Sequence, residues 1–186
     1  MKHYFTLFLL LYAFNCFSQT ESKKINVQKS TVIWKGKKTI GSAHVGSVKL
    51  ISGNILFENN IISGGEFLID MTSIICTDLK GKGKKKIEKH LYADSFFGVL
   101  KYPESKFSIK KAVLVSKNTY QITGDFTIKN KTNSNTFLLT ISNQIATGRI
   151  FIKRDIYDIG YGSGFFGSIA NKAISNTFIL DFNLTL

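Results

Sequence analysis

Proline occurs once in this 186-residue chain, at Pro103, and tryptophan once, at Trp34. With so little proline and no Ser-rich or low-complexity stretch, nothing divides the sequence into domains. Cysteine is equally scarce, present only as Cys16 and Cys76. Cys16 lies in an amino-terminal segment that reads as a secretory signal peptide. That segment has a basic start at Lys2, an apolar run from Phe5 to Phe14, and Cys16-Phe17-Ser18 before a cleavage position at Gln19. Removing residues 1–18 leaves Cys76 alone, which excludes an internal disulfide and makes packing the source of stability. A membrane anchor needs a longer apolar run than this one, which Asn15 and then Gln19-Thr20-Glu21 interrupt. A lipidated Cys16 is the competing reading, disfavoured by Asn15 directly before it. The expected location is the periplasm or the exterior of the cell, with residues 19–186 forming one domain.

Acidic residues are few, 12 against 25 lysines and arginines, and the formal charge is +13. Anionic surfaces are therefore the first partners to consider: nucleic acid, anionic lipid or acidic polysaccharide. Arginine stands only at Arg149 and Arg154, and base reading favours its bidentate fork, so the composition argues against nucleic acid. Histidine is short as well. Outside the signal only His44 and His90 remain, and with Cys76 they offer no metal-ligand spacing of a recognised kind. Asp70 and Asp125 fall on the outward faces of their strands, so no paired-carboxylate site is visible. Cys76 follows Ile74-Ile75 and reads as a small buried residue, not a nucleophile. Tyr161-Gly162-Ser163-Gly164-Phe165-Phe166-Gly167 lacks the strand and helix that a phosphate loop requires and reads as a mobile hairpin or mouth loop. The expectation is a non-catalytic protein without a metal or organic cofactor.

What is abundant is alternation with period two. Tyr120, Ile122, Gly124, Phe126 and Ile128 share one face, and Gln121, Thr123, Asp125, Thr127 and Lys129 the other. The same grammar covers Val32 and Trp34, Ile55 and Phe57, and Phe67 to Met71. It continues through Phe107, Ile109, Val113 and Val115, then Phe137, Leu139 and Ile141, and Phe178 to Leu186. Less regular strands are expected over His44–Leu50 and Ile145–Tyr157. Turns are expected at 51–54, 59–60, 63–65, 117–118 and 133–135, where Asn, Ser and Gly cluster. From Asp78 to Pro103 the alternation stops, and Ile87 and Leu91 stand at helical spacing beside Phe96 and Phe97. About eight amphipathic strands leave two exposed edges unless the sheet closes, so an all-β, eight-stranded antiparallel barrel with a short helical insertion is expected. A two-sheet sandwich carries the same alternation and stays open as an alternative.

Four stretches carry a family resemblance. They are Gly65–Ile74; His90-Leu91 followed by Asp94–Phe97, Tyr102-Pro103 and Phe107; Tyr120–Lys129; and Arg154 shortly before Ile156–Gly160. In order and spacing they resemble the YceI-like proteins. The resemblance implies a lipocalin-like barrel whose elongated cavity binds polyisoprenoid chains, a polyprenyl phosphate or a quinone being the expected partner.

The residues alone favour a filled interior, because a small barrel must fill itself with apolar side chains. The resemblance reverses that preference. It makes Trp34, Phe57, Phe67, Ile69, Phe107, Phe126, Ile128, Leu139, Phe178 and Phe182 the candidate lining, with Phe96, Phe97 and Ile152. Arg154, with His90 and Lys89 near a mouth, is the candidate headgroup contact, since its fork suits phosphate. An ion pair with Asp155, Asp158 or Asp94 is the equal alternative for Arg154, and a helix-stabilising contact with Asp94 the simpler role for His90. Lys80, Lys82, Lys84, Lys85, Lys86 and Lys89 read as a solvated loop, with docking on an anionic bilayer as the alternative. Ten buried methylene-equivalents contribute roughly 8 kcal/mol before ordering costs. A lysine near an anionic membrane contributes about 1 kcal/mol, so the tail would dominate affinity.

Overall fold

The computed structural model describes residues 20–38, 43–160 and 174–186. The signal segment and the glycine-rich stretch at 161–167 lie outside the described residues. The described residues form nine strands and, between them, one helix and one 3₁₀ turn; the strands are β1 (Thr20–Lys24), β2 (Asn26–Lys38), β3 (Ala43–Glu58), β4 (Ile61–Cys76), β5 (Glu104–Ser116), β6 (Thr119–Ile128), β7 (Lys131–Ser142), β8 (Ile145–Lys153) and β9 (Ile174–Thr185). The helix is α1 (Gly81–Tyr92), and the 3₁₀ turn is Asp155–Tyr157.

The antiparallel sheet runs β1-β3-β2-β9-β8-β7-β6-β5-β4, and pairing of β4 with β3 closes it. β2 to β9 form the eight staves. β1 is an extra strand that lies along the same β3 edge as β2, pairing Thr20–Lys24 with Glu58–Asn54. Among the described residues no helix is long and apolar enough to cross a membrane.

The two-residue hairpins at Asn59-Asn60, Lys129-Asn130 and Asn143-Gln144 all hold positive φ at both positions. That is the primed turn whose twist suits neighbouring antiparallel strands. At one end of the barrel sit the 59–60, 117–118 and 143–144 turns. At the other sit α1, the 129–130 turn and the 154–160 segment. On the outer face of the β6–β7 pair, threonine hydroxyls meet at Thr119–Thr140, Thr123–Thr136 and Thr127–Thr132, 3.0, 3.0 and 2.8 Å apart. The inner face holds the core.

Several expectations need correction. The strand expected over Ile145–Tyr157 ends at Lys153, and Asp155–Tyr157 forms the 3₁₀ turn. Residues 51–54 are not a turn: β3 runs straight through them, with an irregularity between Leu50 and Ser52, so His44–Leu50 and Ile55–Phe57 belong to one strand. Residues 63–65 likewise lie inside β4, where Gly65 takes φ of 154°. Residues 133–135 lie inside β7, the turn being at Lys129-Asn130. In each case a Gly/Asn/Ser cluster marks an irregular or ordinary strand position instead of a reversal. Finally, a bulge between Ile109 and Lys111 flips the rest of β5. Val113 and Val115 therefore point outward, 40% and 52% exposed, although they share sequence parity with the buried Phe107 and Ile109.

Helix α1 confirms the insertion. Leu91 is buried on it, Ile87 is half-buried, and it packs against β4. The lysine run is thus helical, not a loop. The Trp34 ring packs across Gly46, its register partner on β3, and its Nε1 donates to the Ile75 carbonyl at 3.1 Å. A Cβ on Gly46 would fall 1.9 Å from that carbonyl oxygen and 2.4 Å from the indole. We expect Gly46→Ala to cost about 3 kcal/mol in urea unfolding, since backbone and a locked ring must both shift. Gly36→Ala, whose nearest neighbour would be 3.9 Å away, should stay within about 0.5 kcal/mol.

Candidate functional site

Closure brings inward side chains from all eight staves around one apolar cavity of about 50 Å³. β2 contributes Val32, β3 Leu50, β4 Phe67 and Ile69, β5 Phe107 and Ile109, and β6 Phe126. From β7 come Phe137 and Leu139, from β8 Ile150, and from β9 Leu180, Phe182 and Leu184. Every lining residue is apolar, so the site offers burial and dispersion contacts.

Six residues expected from sequence line this cavity: Phe67, Ile69, Phe107, Phe126, Leu139 and Phe182. Three of their rings lie against glycines on neighbouring strands. A Cβ on Gly53 would come 2.8 Å from the Phe67 ring, one on Gly124 2.4 Å from Phe107, and one on Gly148 2.4 Å from Phe182. The missing side chains let these rings lie close against the neighbouring strands. Phe137, absent from the expected set, stands between two of them, with ring centroids 5.5 Å from Phe107 and 5.7 Å from Phe182. Its parity with Leu139 was the signal that would have found it.

The other expected residues are placed elsewhere. Trp34 is occupied against Gly46 and Ile75. Phe57 lies beneath the Lys23 ammonium, 5.2 Å from its ring centroid. It lines a separate hollow of about 470 Å³ at the hairpin end with Ile141, Leu186 and the polar residues of β1. Phe96, Phe97 and Phe178 stack edge to face at the α1 end, at 5.1 and 5.9 Å. Ile128 and Ile152 are buried but outside the cavity lining.

Arg154 is buried, the first residue of the 3₁₀ turn's flank, and its Nε and Nη1 donate to the carbonyls of Ser175 and Ile159 at 3.0 and 2.9 Å. It does not line the cavity. Of the acids proposed as its partners, Asp158 takes Lys131, Asp94 takes Lys101 at 2.5 Å, and the Asp155 carboxylate accepts from the Ile156 N–H. α1 ends at Tyr92, so Asp94 is not on the same helix as His90. Lys129 ties this end together, donating to the Asp94 and Asp158 carbonyls at 3.0 and 2.7 Å. Burial pushes its ammonium below the usual lysine range, opposed by the charges of Asp158 and Asp94.

A second polar constellation lies where β4 runs into α1. The Cys76 thiol donates to Asp78 Oδ1 at 3.1 Å, His44 Nδ1 meets Oδ2 at 3.0 Å, and the Val45 N–H donates to Oδ1 at 3.1 Å. The Cys76 N–H in turn donates to Glu88 on α1 at 3.0 Å. Burial raises the Cys76 thiol pKa, and its hydrogen bond to Asp78 raises it further, so the sulfur is held protonated. The imidazole reaches the carboxylate, not the thiol. Among the described residues no group of His, Cys, Asp and Glu is arranged to hold a metal ion.

A closed antiparallel barrel of lipocalin-like form, with an apolar interior and one helical insertion, is the class that fold and site define. The family model for the YceI-like domain matches residues 24–186, and the chain belongs to that family. Among solved structures, Burkholderia cenocepacia BcnA is similar with a TM-score of 0.73 at 21% identity, over 87% of this chain and 99% of that one. A polyisoprenoid-binding domain from Saccharophagus degradans, implicated in plant cell wall breakdown, gives 0.59 at 14% identity, over 87% and 95%. The Campylobacter jejuni YceI protein gives 0.52 at 15%, over 81% and 84%. At these identities the likeness is one of fold. No curated protein matches the chain.

Asp78 yields a pH prediction. Burial opposes its ionisation, but hydrogen bonds from Cys76, His44 and the Val45 N–H outweigh that and lower its pKa from 3.8 to about 2. Its contribution is present above pH 4 and is lost as pH falls toward 2. Acid unfolding of Asp78→Asn should lack this component, and at pH 7 the variant should be about 1 kcal/mol less stable, a figure discounted for the solvent that still reaches the carboxylate.

Proposed function

We propose that this protein is an exported, non-catalytic binding protein that holds an isoprenoid lipid, a polyprenyl phosphate or a quinone, inside its barrel. The observation that carries the reading is an apolar cavity to which every stave contributes a side chain. Membership of the YceI-like family supports it, as does the likeness of fold to a polyisoprenoid-binding domain. The amino-terminal segment supports a periplasmic or secreted location. The cavity's volume of about 50 Å³ means that a chain must part the rings to enter. The same small volume favours the second reading, a basic structural or interaction protein with a filled barrel core.

Lipid extraction and mass spectrometry of the purified protein separate the two. The first reading expects co-purifying isoprenoid, or uptake of added isoprenoid in roughly equimolar amount; neither, across repeated preparations, leaves the filled barrel.

Loading from a bilayer fits the α1 end. The helix carries Lys82, Lys84, Lys85, Lys86 and Lys89 against one acid, Glu88, with no acidic residue in its first turn and no side-chain cap. This crowds like charges and opposes the helix dipole, a local cost that an anionic surface would relieve. Just beyond, Leu100 is 89% exposed in a turn tied to the helix by the Val99 N–H to the Tyr92 carbonyl. We propose peripheral contact of this end with anionic lipid, lysines on headgroups and Leu100 among the acyl chains. Sedimentation with phosphatidylglycerol-containing vesicles should fall at least tenfold in a Lys82, Lys85, Lys86, Lys89→Gln variant, at about 1 kcal/mol per lysine, and should weaken with salt. Equal binding to pure phosphatidylcholine would refute the electrostatic part.

A further inference from the structure

Among the described residues, one buried polar side-chain atom has nothing to bond. Ser105 is 4% exposed, and its hydroxyl has no hydrogen-bond partner among the described residues. It points inward by the alternation of β5, where Ser105, Phe107 and Ile109 are buried and Glu104 and Lys106 exposed. Its register partner on β4 is Ile69, and Phe107 is the next inward residue along its own strand. Both line the cavity; Ser105 is not itself among the lining residues, and its buried hydroxyl lies behind that wall, toward the α1 end where β5 begins. Leaving a hydroxyl unpaired among apolar groups is costly, and an alanine or valine would fill the position without that cost. An unpaired buried polar group of this kind calls for a partner.

The chemistry around it restricts what that partner is. Among the described residues the buried Arg154 guanidinium donates to the Ser175 and Ile159 carbonyls and does not line the cavity. An ionised phosphate needs several donors or a cation to replace its hydration, and the cavity lining supplies neither. A neutral carbonyl or hydroxyl oxygen needs one donor, which is what the site has.

We infer that Ser105 is the polar anchor of the cavity, donating its hydroxyl proton to a neutral oxygen of the bound isoprenoid. The ligand is then a quinone or alcohol with its head toward the α1 end and its tail among Phe107, Phe137 and Phe182. This rests on the lipid-holding reading and chooses between the two ligand classes it leaves open.

Three probes with one tail test it by fluorescence quenching or calorimetry: farnesyl benzoquinone, farnesane and farnesyl phosphate. Ser105→Ala should weaken the quinone about tenfold, leave farnesane unchanged, and keep or raise Tm, because the hydroxyl has no bond to lose in the empty protein. Equal loss for quinone and farnesane, no loss for either, or a lowered Tm overturns the anchor alone. Tighter binding of farnesyl phosphate than of the quinone by the unaltered protein overturns the neutral-head assignment. Failure of the unaltered protein to take up any probe removes the lipid-holding reading and the anchor with it.

Discussion

An amphipathic sheet buries its apolar face by finding a partner or by becoming its own, and here the pairing of β3 with β4 makes the sheet its own partner. Closure abolishes both edges and turns one face of eight strands into an interior. The scarcity of disulfides, prolines and acids is tolerable because closure lets every stave pack against the same centre. The cavity and the plug of rings at the α1 end both depend on that closure, and the β3–β4 pairing carries register shifts at Ser47/Lys49, Leu50/Ser52 and Leu56/Phe57.

A closed barrel of this size would ordinarily fill. This one nearly does, leaving about 50 Å³, and Gly53, Gly124 and Gly148 give up their own side chains where the rings of Phe67, Phe107 and Phe182 lie against neighbouring strands. Glycine weakens a strand interior by roughly 0.5–1 kcal/mol relative to alanine, so three such positions facing one cavity are a stability cost borne by the site. Phe137 then stands across the remaining space. Apolar walls, one unpaired hydroxyl and no charge within them suit a slender greasy chain with a neutral head. The charge of the protein is instead gathered outside, on α1, where it bears on docking and not on the buried contact.

Much of the site was legible in the sequence because a period of two is strict. Phe67 and Ile69, Phe107, Phe126, Leu139 and Phe182 all sit on inward positions that alternation alone identifies. Parity also named Phe178, Ile128 and Trp34 as inward, which they are, but it says nothing about height along the barrel axis, and height decides whether a side chain lines the cavity, joins the α1-end plug or is covered by a neighbouring strand. Val113 and Val115 show a second way that parity fails: one bulged residue reverses the face of everything after it. Arg154 shows a third: β8 ends at Lys153 and the chain turns into a 3₁₀ turn, so strand parity no longer applies and the guanidinium donates to the Ser175 and Ile159 carbonyls.

The sequence by itself determined the class: a basic, all-β chain whose alternating faces required closure and whose ordered motifs matched one family. These are properties of short segments, written in residue types two or four apart. Only the tertiary structure decided which clusters of Asn, Gly and Ser were turns and which were bulges, that three glycines sit against three cavity-lining rings, and that Ser105 alone among the buried polar groups described lacks a partner. Each of those depends on which residue of another strand lies opposite, a relation between positions dozens of residues apart that local pattern does not contain.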